Sequence, residues 1–426
     1  MPWSAGSIQT ESRIAIMTST IAPQAKPRID FAEFSIATVA GLALAFTTMF
    51  LCVVPLAGKI AASRDFVCFW ATGQQLVHHG NPYDAAAMKR IEQSAGLDKR
   101  YGILFMRNPP WTLPLVLALG FVGLRIGAFL WSLAIFACLV ASVLILWRIH
   151  GRPRNHLHWI GLSFGPALLC AIMGQTTIFA LLGYVLFLFL HRTHPFVAGM
   201  SLWLCALKPH LFVPFGVVLL VWILLSRSYR ILIGAAIALT ASCAIAYLFD
   251  PTAWADYAQM MRSAGLGAEY IPCLVVALQL WINPHAVWLQ YLAPLLGSVW
   301  ALTYFWPRRQ AWDWEKYGNL LVLVSLVAAP YSWIYDGGLA IPALLEGVYR
   351  TRSRLLLVIL AFASLAILVE LVAGVMVTSP LYLWTVPAWF AWYLFASATP
   401  REPQASQLTE AAVLEPLEKK QGRVGF

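Results

Sequence analysis

The chain has 426 residues, of which 60% are hydrophobic and 11% are charged, and its formal net charge is +10 at pH 7. Soluble domains carry roughly 25% charged residues, and single hydrophobic cores stop growing near about 250–300 residues, so this composition excludes a water-soluble globule. Because an α-helix satisfies its backbone hydrogen bonds internally even in lipid, we predict an all-α polytopic membrane protein.

Apolar stretches follow one another along the chain and predict about twelve crossings. The longer ones cover residues 34–57, 126–147, 157–173, 177–190, 211–225, 231–248, 286–305, 355–377 and 381–396, and shorter ones cover 196–207, 320–330 and 337–348. Residues 111–124 are too few for a full crossing and follow two prolines, which favours a re-entrant or interfacial helix. Two long outer loops, residues 58–110 and 249–285, connect crossings, and the first is predicted to be helical.

The basic residues give the predicted orientation, because cytoplasmic loops carry an excess of Lys and Arg. With a cytoplasmic N-terminus, the inner loops hold Arg148, Arg152, Arg154, Arg192, Arg227, Arg230, Arg308, Arg309, Lys316, Arg350, Arg352 and Arg354. The two outer loops are nearly neutral, so the net charge is an orientation signal and no nucleic-acid partner is expected. Residues 1–33 and 397–426 are predicted to be disordered cytoplasmic segments flanking one transmembrane domain, residues 34–396.

Polar motifs gather at the predicted outer face of this domain. They are Asp65-Phe66, Asn108-Pro109-Pro110, Gly174-Gln175-Thr176, Lys208-Pro209-His210 and residues 331–336. Polar groups within a lipid-facing bundle are kept only with partners, and they mark functional sites by default. The sequence therefore predicts one polar cavity at the outer leaflet.

The order and spacing of these motifs resemble glycosyltransferase family 87, integral membrane enzymes of the GT-C fold. Further matching motifs are Phe69-Trp70, Gly80-Asn81-Pro82-Tyr83-Asp84 and Ala329-Pro330-Tyr331-Ser332-Trp333. The resemblance spans roughly residues 40–345. It departs at Asn108, where many relatives have an aromatic residue, and at Tyr335-Asp336, where some have a histidine pair.

The resemblance implies a GT-C-like bundle in a bacterial inner membrane, with both termini cytoplasmic and the active site facing outward. It also implies a polyprenyl-phosphate sugar as donor, a mannose-like sugar, and a lipid or glycan acceptor. The reaction expected is an inverting transfer without metal or cofactor, because the sequence has no cluster with metal-ligand spacing. The alternative is a secondary transporter or lipid flippase, although the chain shows no repeat between two halves.

Asp65 is the predicted general base, because it is a carboxylate at the lipid–water boundary where an acceptor hydroxyl must lose a proton. The resemblance places the catalytic aspartate of GT-C enzymes at the same position. The alternative is a topological ion pair with Arg64 or Lys59.

Lys208 is the predicted donor-phosphate ligand, because it stands alone between two apolar segments, directly before a proline that starts a helix. Arg107 and His210 are predicted as further phosphate contacts. The alternative for Lys208 is a side chain that only extends to the interface.

The predicted sugar-binding or acceptor-binding residues are Gln175, Tyr83, Asn108, Trp333, Tyr335 and Asp336. For Gln175, a hydrogen bond to a neighbouring helix remains an equal alternative. Glu346 is predicted to form an ion pair with Arg350, four residues later in the same helix.

Overall fold

The computed structural model describes residues 65–98, 102–153, 156–263, 270–351 and 353–398. Within these residues the regular elements are all helical, and no strand occurs. The α-helices are α1 (Phe66–Val77), α2 (Ala85–Ser94), α3 (Leu113–Leu117), α4 (Leu124–Ile149), α5 (Gly165–Met173), α6 (Thr177–Leu190), α7 (Pro195–Cys205), α8 (Val213–Ser226), α9 (Tyr229–Phe249), α10 (Ala253–Ser263), α11 (Leu274–Ile282), α12 (Trp288–Phe305), α13 (Trp314–Val327), α14 (Ile341–Arg350), α15 (Arg354–Val372) and α16 (Thr385–Ala398). Short 3₁₀ segments cover Pro110–Thr112, Ala118–Phe121, Leu157–Leu162, Pro209–Phe212, Trp306–Ala311, Ile334–Ala340 and Pro380–Tyr382.

Four helical segments are long and apolar enough to cross a membrane: α4, Pro209–Ser226, α9 and α15. Three shorter apolar helices cover Pro110–Phe121, α6 and α7. Large apolar side chains on α9 and α15 are exposed, among them Leu248 and Val372, and such a surface is stable only against lipid. The chain is therefore a helical membrane protein, and the count of about twelve crossings stays a prediction.

The terminal segments bear on several predictions. The first predicted crossing, residues 34–57, and the predicted disordered N-terminus lie outside the described residues, as does the tail from residue 399. Helix α16 continues to Ala398, two residues beyond the predicted end of the domain.

One predicted crossing is wrong in form. Residues 157–173 form two pieces, Leu157–Leu162 and α5, instead of one helix. The break lies where α5 meets α15: the Gly165 N–H donates to Ser364 Oγ at 2.8 Å, and Pro166 follows in the first turn. A proline is favoured in a first helical turn because its missing N–H would have no partner there.

Helix α6 lies in the centre of the described bundle. It packs against α4, α7 and the segment Ile334–Ala340, and most of its side chains are buried. Its first residue, Thr177, and the segment before α8 belong to one end of the bundle, called here the site end. Helices α6 and α8 both run from there to the opposite end, a distance of about 21 Å for α6 at about 1.5 Å per residue.

The first loop folds onto the short apolar helix that follows it. Trp70 Nε1 on α1 donates to the Val122 carbonyl at 2.9 Å, and Gln74 Nε2 donates to the Gly120 carbonyl at 2.9 Å. These bonds satisfy carbonyl groups at the end of the helical stretch Pro110–Phe121. The predicted short helix is therefore present, and its depth in the membrane stays a prediction.

A buried polar network joins α13, α14 and α16. Asn319 Nδ2 donates to Glu346 Oε2 at 2.8 Å, and the Tyr393 hydroxyl donates to the same oxygen at 3.1 Å. The predicted pair is present, with Arg350 Nη2 and Glu346 Oε1 2.5 Å apart. Glu346 is therefore a structural group, with partners on its own helix and on two neighbouring helices.

Candidate active site at one end of the bundle

Asp65 occupies the N-cap position of α1 and does not cap that helix with its side chain. Instead, Gln175 Nε2 donates a 2.7 Å hydrogen bond to Asp65 Oδ2. The side chain of Asp65 is partly exposed. The contact joins residues 110 positions apart, so two of the predicted motifs meet at this point.

A tight turn carries Gln175 to this position. Helix α5 ends at Gly174, whose φ of 76° is in the left-handed region that glycine adopts without strain. A Cβ atom at residue 174 would lie 2.7 Å from the Cβ of Phe66, the residue after Asp65. Trp131 Nε1 donates to the Gly174 carbonyl at 2.7 Å, which also fixes the position of the turn.

Lys208 and Asp336 form a buried ion pair, with Lys208 Nζ 2.7 Å from Asp336 Oδ1. Their side chains are 8% and 0% exposed, so water does not screen the pair. Thr177 Oγ1 donates to the same carboxylate oxygen at 2.6 Å and accepts from Lys208 Nζ at 3.0 Å. This triad joins α6, the turn before Pro209 and the 3₁₀ segment Ile334–Ala340.

The remaining surroundings of the triad are backbone and aromatic. The Trp333 backbone N–H donates to Asp336 Oδ2 at 2.9 Å, so both carboxylate oxygens are bound. The Tyr335 ring lies 4.8 Å from Lys208 Nζ and stacks on Trp333 at 6.0 Å between centroids. Both Asp65 and Asp336 act electrostatically on Tyr335. This tyrosine is therefore near both carboxylates.

His210 lies beside the triad. Its ring stacks on Tyr331 at 4.1 Å between centroids, and within the described residues its Nε2 atom has no hydrogen-bond partner. The positive charge of Arg107 acts on the Tyr331 hydroxyl, and Tyr257 donates to the Arg107 carbonyl at 3.2 Å. Burial raises the pKa of Tyr331 and of Tyr257 above the ordinary phenol value, so both stay protonated and able to donate at neutral pH.

Asn108 ties the first loop to the lysine turn. Its Nδ2 atom donates to the Leu207 carbonyl at 2.8 Å and to Thr176 Oγ1 at 3.3 Å. Tyr83 is farther out: it is buried and packs edge-on against Tyr257, with 5.7 Å between centroids. Tyr83 therefore reaches the site only through Tyr257.

The structure thus brings Asp65, Gln175, Lys208, Tyr335 and Asp336 to one end of α6. Sequence reasoning missed Thr177, which directly follows the recognised Gly-Gln-Thr motif and holds both partners of the ion pair. Its position as a hydroxyl at a helix start was the available signal. Within the residues that the structure describes, no three His, Cys, Asp or Glu side chains gather as a metal site.

The two halves of the site offer different chemistry. Asp65 is a partly exposed carboxylate that is held in place by a neutral amide, an arrangement suited to accepting a proton. The Lys208 region offers an ammonium group and an imidazole nitrogen, which suit an anion. Gln175 and Thr177 are two positions apart, so one short turn links both halves.

Comparison with known proteins gives one match. No curated protein and no solved structure matches the chain. Residues 105–330 match the sequence profile of glycosyltransferase family 87, more than half of the 426 residues. The matched part contains Asn108, Gln175 and Lys208, whereas Asp336 lies shortly after its end and Asp65 lies well before its start. The chain therefore belongs to glycosyltransferase family 87.

Proposed function

We propose that this membrane glycosyltransferase moves a mannose-like sugar from a polyprenyl-phosphate donor to a lipid or glycan acceptor. One observation carries the proposal. Gln175 binds Asp65, and two residues later in the chain Thr177 binds both Lys208 and Asp336. A base and an anion-binding region side by side are what transfer from a sugar phosphate requires.

In the proposed reaction, an acceptor oxygen attacks the anomeric carbon while the bond from that carbon to the phosphate oxygen breaks. Asp65 takes the acceptor proton, and the polyprenyl phosphate leaves with the bonding electron pair. A single displacement of this kind inverts the anomeric configuration. Gln175 Nε2 orients the carboxylate through its hydrogen bond to Asp65 Oδ2.

Donor phosphate binding is proposed for Lys208, His210 and Arg107. An ammonium group has three N–H donors, and Thr177 and Asp336 already take two from Lys208. A phosphate oxygen therefore binds Lys208 by adding to, or exchanging with, the Asp336 carboxylate. His210 Nε2 needs no such exchange, since the described residues give it no partner.

Sugar and acceptor contacts are proposed for Asn108, Trp333, Tyr335 and Asp336, and for Tyr83 through Tyr257. Stacked aromatic rings such as Trp333 and Tyr335 present a flat apolar face, which suits a pyranose ring. A transporter or flippase is the alternative, and it would place its polar groups near the middle of the spanning helices. The contacts of α6 at its first residue favour the transferase.

The test of the base is Asp65→Asn, which keeps size and hydrogen bonding but cannot accept a proton. With a labelled polyprenyl-phosphate sugar, kcat should fall by about 10²–10⁴-fold while donor affinity stays within about twofold. Asp84→Asn is the matched control, because Asp84 also occupies an N-cap in the first loop and asparagine caps equally well. An Asp65→Asn enzyme with normal turnover would remove Asp65 from the mechanism.

The outward orientation of the site is tested by cysteine labelling with a membrane-impermeant reagent. Cysteine at Gly96, in the first loop, should label in intact cells, whereas cysteine at Ser228 should label only after permeabilisation. Labelling of residue 228 from outside would reverse the proposed orientation.

A further inference from the structure

A polar cavity lies at the opposite end of α6, away from the candidate active site. Its volume is about 460 Å³, and its walls are His191, Arg192, Pro195, Trp222, Arg227, Ser228, Tyr229, Arg230 and Trp312. It is called here the arginine cavity. It occupies the meeting point of the ends of α6 and α8 with the start of α9.

The cavity holds more positive than negative charge. Arg192 is neutralised by Asp313, with Nη2 to Oδ1 at 2.9 Å, and has Glu315 3.9 Å from its Nη1 atom. For Arg227 and Arg230, no carboxylate lies within ion-pair distance among the described residues. Both arginines are exposed and line the cavity, so each can donate charge-assisted hydrogen bonds to a bound anion.

The backbone at the cavity also favours binding of an anion. Arg227 ends α8 with a φ of 55°, in the left-handed region that a non-glycine residue rarely adopts. The chain turns there at once into α9, a helix of 21 residues whose positive N-terminal end borders the cavity. The Ser228 side chain does not cap α9, and its hydroxyl accepts a hydrogen bond from the Ser226 hydroxyl at 2.9 Å.

The walls add aromatic surface, because Trp222, Tyr229 and Trp312 line the cavity. Trp and Tyr side chains favour the membrane–water interface, where one end of the ring is apolar and the other is polar. A ligand with a charged group joined to apolar chains matches these walls better than a small free ion does.

We propose that the arginine cavity binds the phosphate group of an anionic phospholipid. Arg227, Arg230 and the first turn of α9 hold the phosphate oxygens, and the aromatic walls contact the glycerol and the upper acyl chains. By the distribution of basic residues this end is cytoplasmic, the side on which arginine pockets between spanning helices meet anionic headgroups. The site is independent of the glycosyl transfer proposed above.

The test compares Arg227→Gln/Arg230→Gln with Arg308→Gln/Arg309→Gln in the full chain, purified in detergent. The control pair removes the same charge from the segment Trp306–Ala311, outside the cavity, where the two arginines stack on Tyr304 and Trp306. Thermal stability is measured with phosphatidylglycerol, phosphatidylcholine or inorganic phosphate, and retained lipid is counted by native mass spectrometry.

Phosphatidylglycerol should raise the melting temperature of the wild type and of the control pair, and it should leave the cavity variant unchanged. Retained anionic lipid should fall at least fivefold in the cavity variant alone. Equal protection by phosphatidylcholine or by inorganic phosphate would overturn the proposal, as would equal loss in the control pair. If the double variant does not fold, Arg230→Gln alone is used, because Arg230 lies within α9 and leaves the turn at Arg227 intact.

Discussion

The buried pair of Lys208 and Asp336 gives the sharpest prediction about the site. Lys208→Met keeps the length of the side chain and removes its charge. Asp336 is then left with hydrogen bonds from Thr177 and from the Trp333 backbone N–H, and without a cation. Its side chain is 0% exposed, so water cannot replace the lost ammonium group.

Breaking a buried ion pair by removing one partner costs about 3–5 kcal/mol, because the other charge stays buried and uncompensated. Since Asp336 keeps two hydrogen bonds, we expect a loss near the lower limit, about 3 kcal/mol. At about 2 °C per kcal/mol, the figure suited to a large chain, the melting temperature should fall by about 6 °C. Lys208→Met/Asp336→Asn should regain most of this loss, because the pair of charges is then removed together.

The matched control is Arg192→Met. The Arg192–Asp313 pair has a similar separation, 2.9 Å, but its side chains are 59% and 38% exposed. An exposed pair contributes roughly 0–1 kcal/mol, so the melting temperature of this control should fall by no more than about 2 °C. Equal losses in the two single variants would refute the argument that burial determines the effect.

Donor binding by the same variants separates the two roles of Lys208. If Lys208 holds phosphate, Lys208→Met/Asp336→Asn regains stability but still binds a polyprenyl-phosphate sugar at least tenfold more weakly than the wild type. If Lys208 only balances the charge of Asp336, the double variant regains both stability and donor affinity. The second result would leave His210 and Arg107 as the phosphate ligands.

Two further predictions concern the elements around the site. Gly174→Ala should lower the free energy of unfolding by about 2 kcal/mol or more and reduce turnover, because the added methyl group displaces Phe66. The control is Gly151→Ala, because Gly151 has a similar φ of 78° but no atom within 4 Å of the added Cβ. It should lose only the roughly 1–2 kcal/mol of backbone strain. Burial raises the pKa of Glu92 to about 7. The contribution of this raised pKa to the free energy of unfolding is therefore full below about pH 4.5 and lost as the pH rises through about 7. Thermal unfolding at pH 5 and pH 8 should therefore show a fall of up to about 3 kcal/mol with rising pH in the wild type, and a smaller fall in Glu92→Gln.

Helix positions could be predicted where apolarity ends at a charged or polar residue. The predicted segment 177–190 coincides with α6, because Arg192 and the polar Gly174–Thr176 turn bound it on both sides. The predicted crossing at 157–173 failed, because its break depends on a hydrogen bond to Ser364, about two hundred residues away. The length of an apolar segment can be predicted from local sequence, whereas the tertiary contact made at the break cannot.

The site could be predicted at the level of motifs, and only partly at the level of contacts. Asp65, Gln175, Lys208 and Asp336 were all recognised as polar groups at one end, since polar groups are expensive in lipid wherever they occur. Their pairing was not predicted: Lys208 was assigned to phosphate alone, and its partner Asp336 is 128 positions away. The family match covers Lys208 but stops before Asp336, so similarity does not supply the pairing either.

On the proposed function, the ion pair explains how the anion site at Lys208 persists in an apolar bundle before its ligand arrives. An isolated ammonium group at the place of Lys208 would lose its hydration with nothing in return. Asp336 and Thr177 stabilise the charged form, while the backbone bond from Trp333 holds Asp336 when a second anion competes for Lys208. A phosphate that enters beside His210 then meets a cation already fixed in position, so the ordering of Lys208 costs nothing further at the moment of binding.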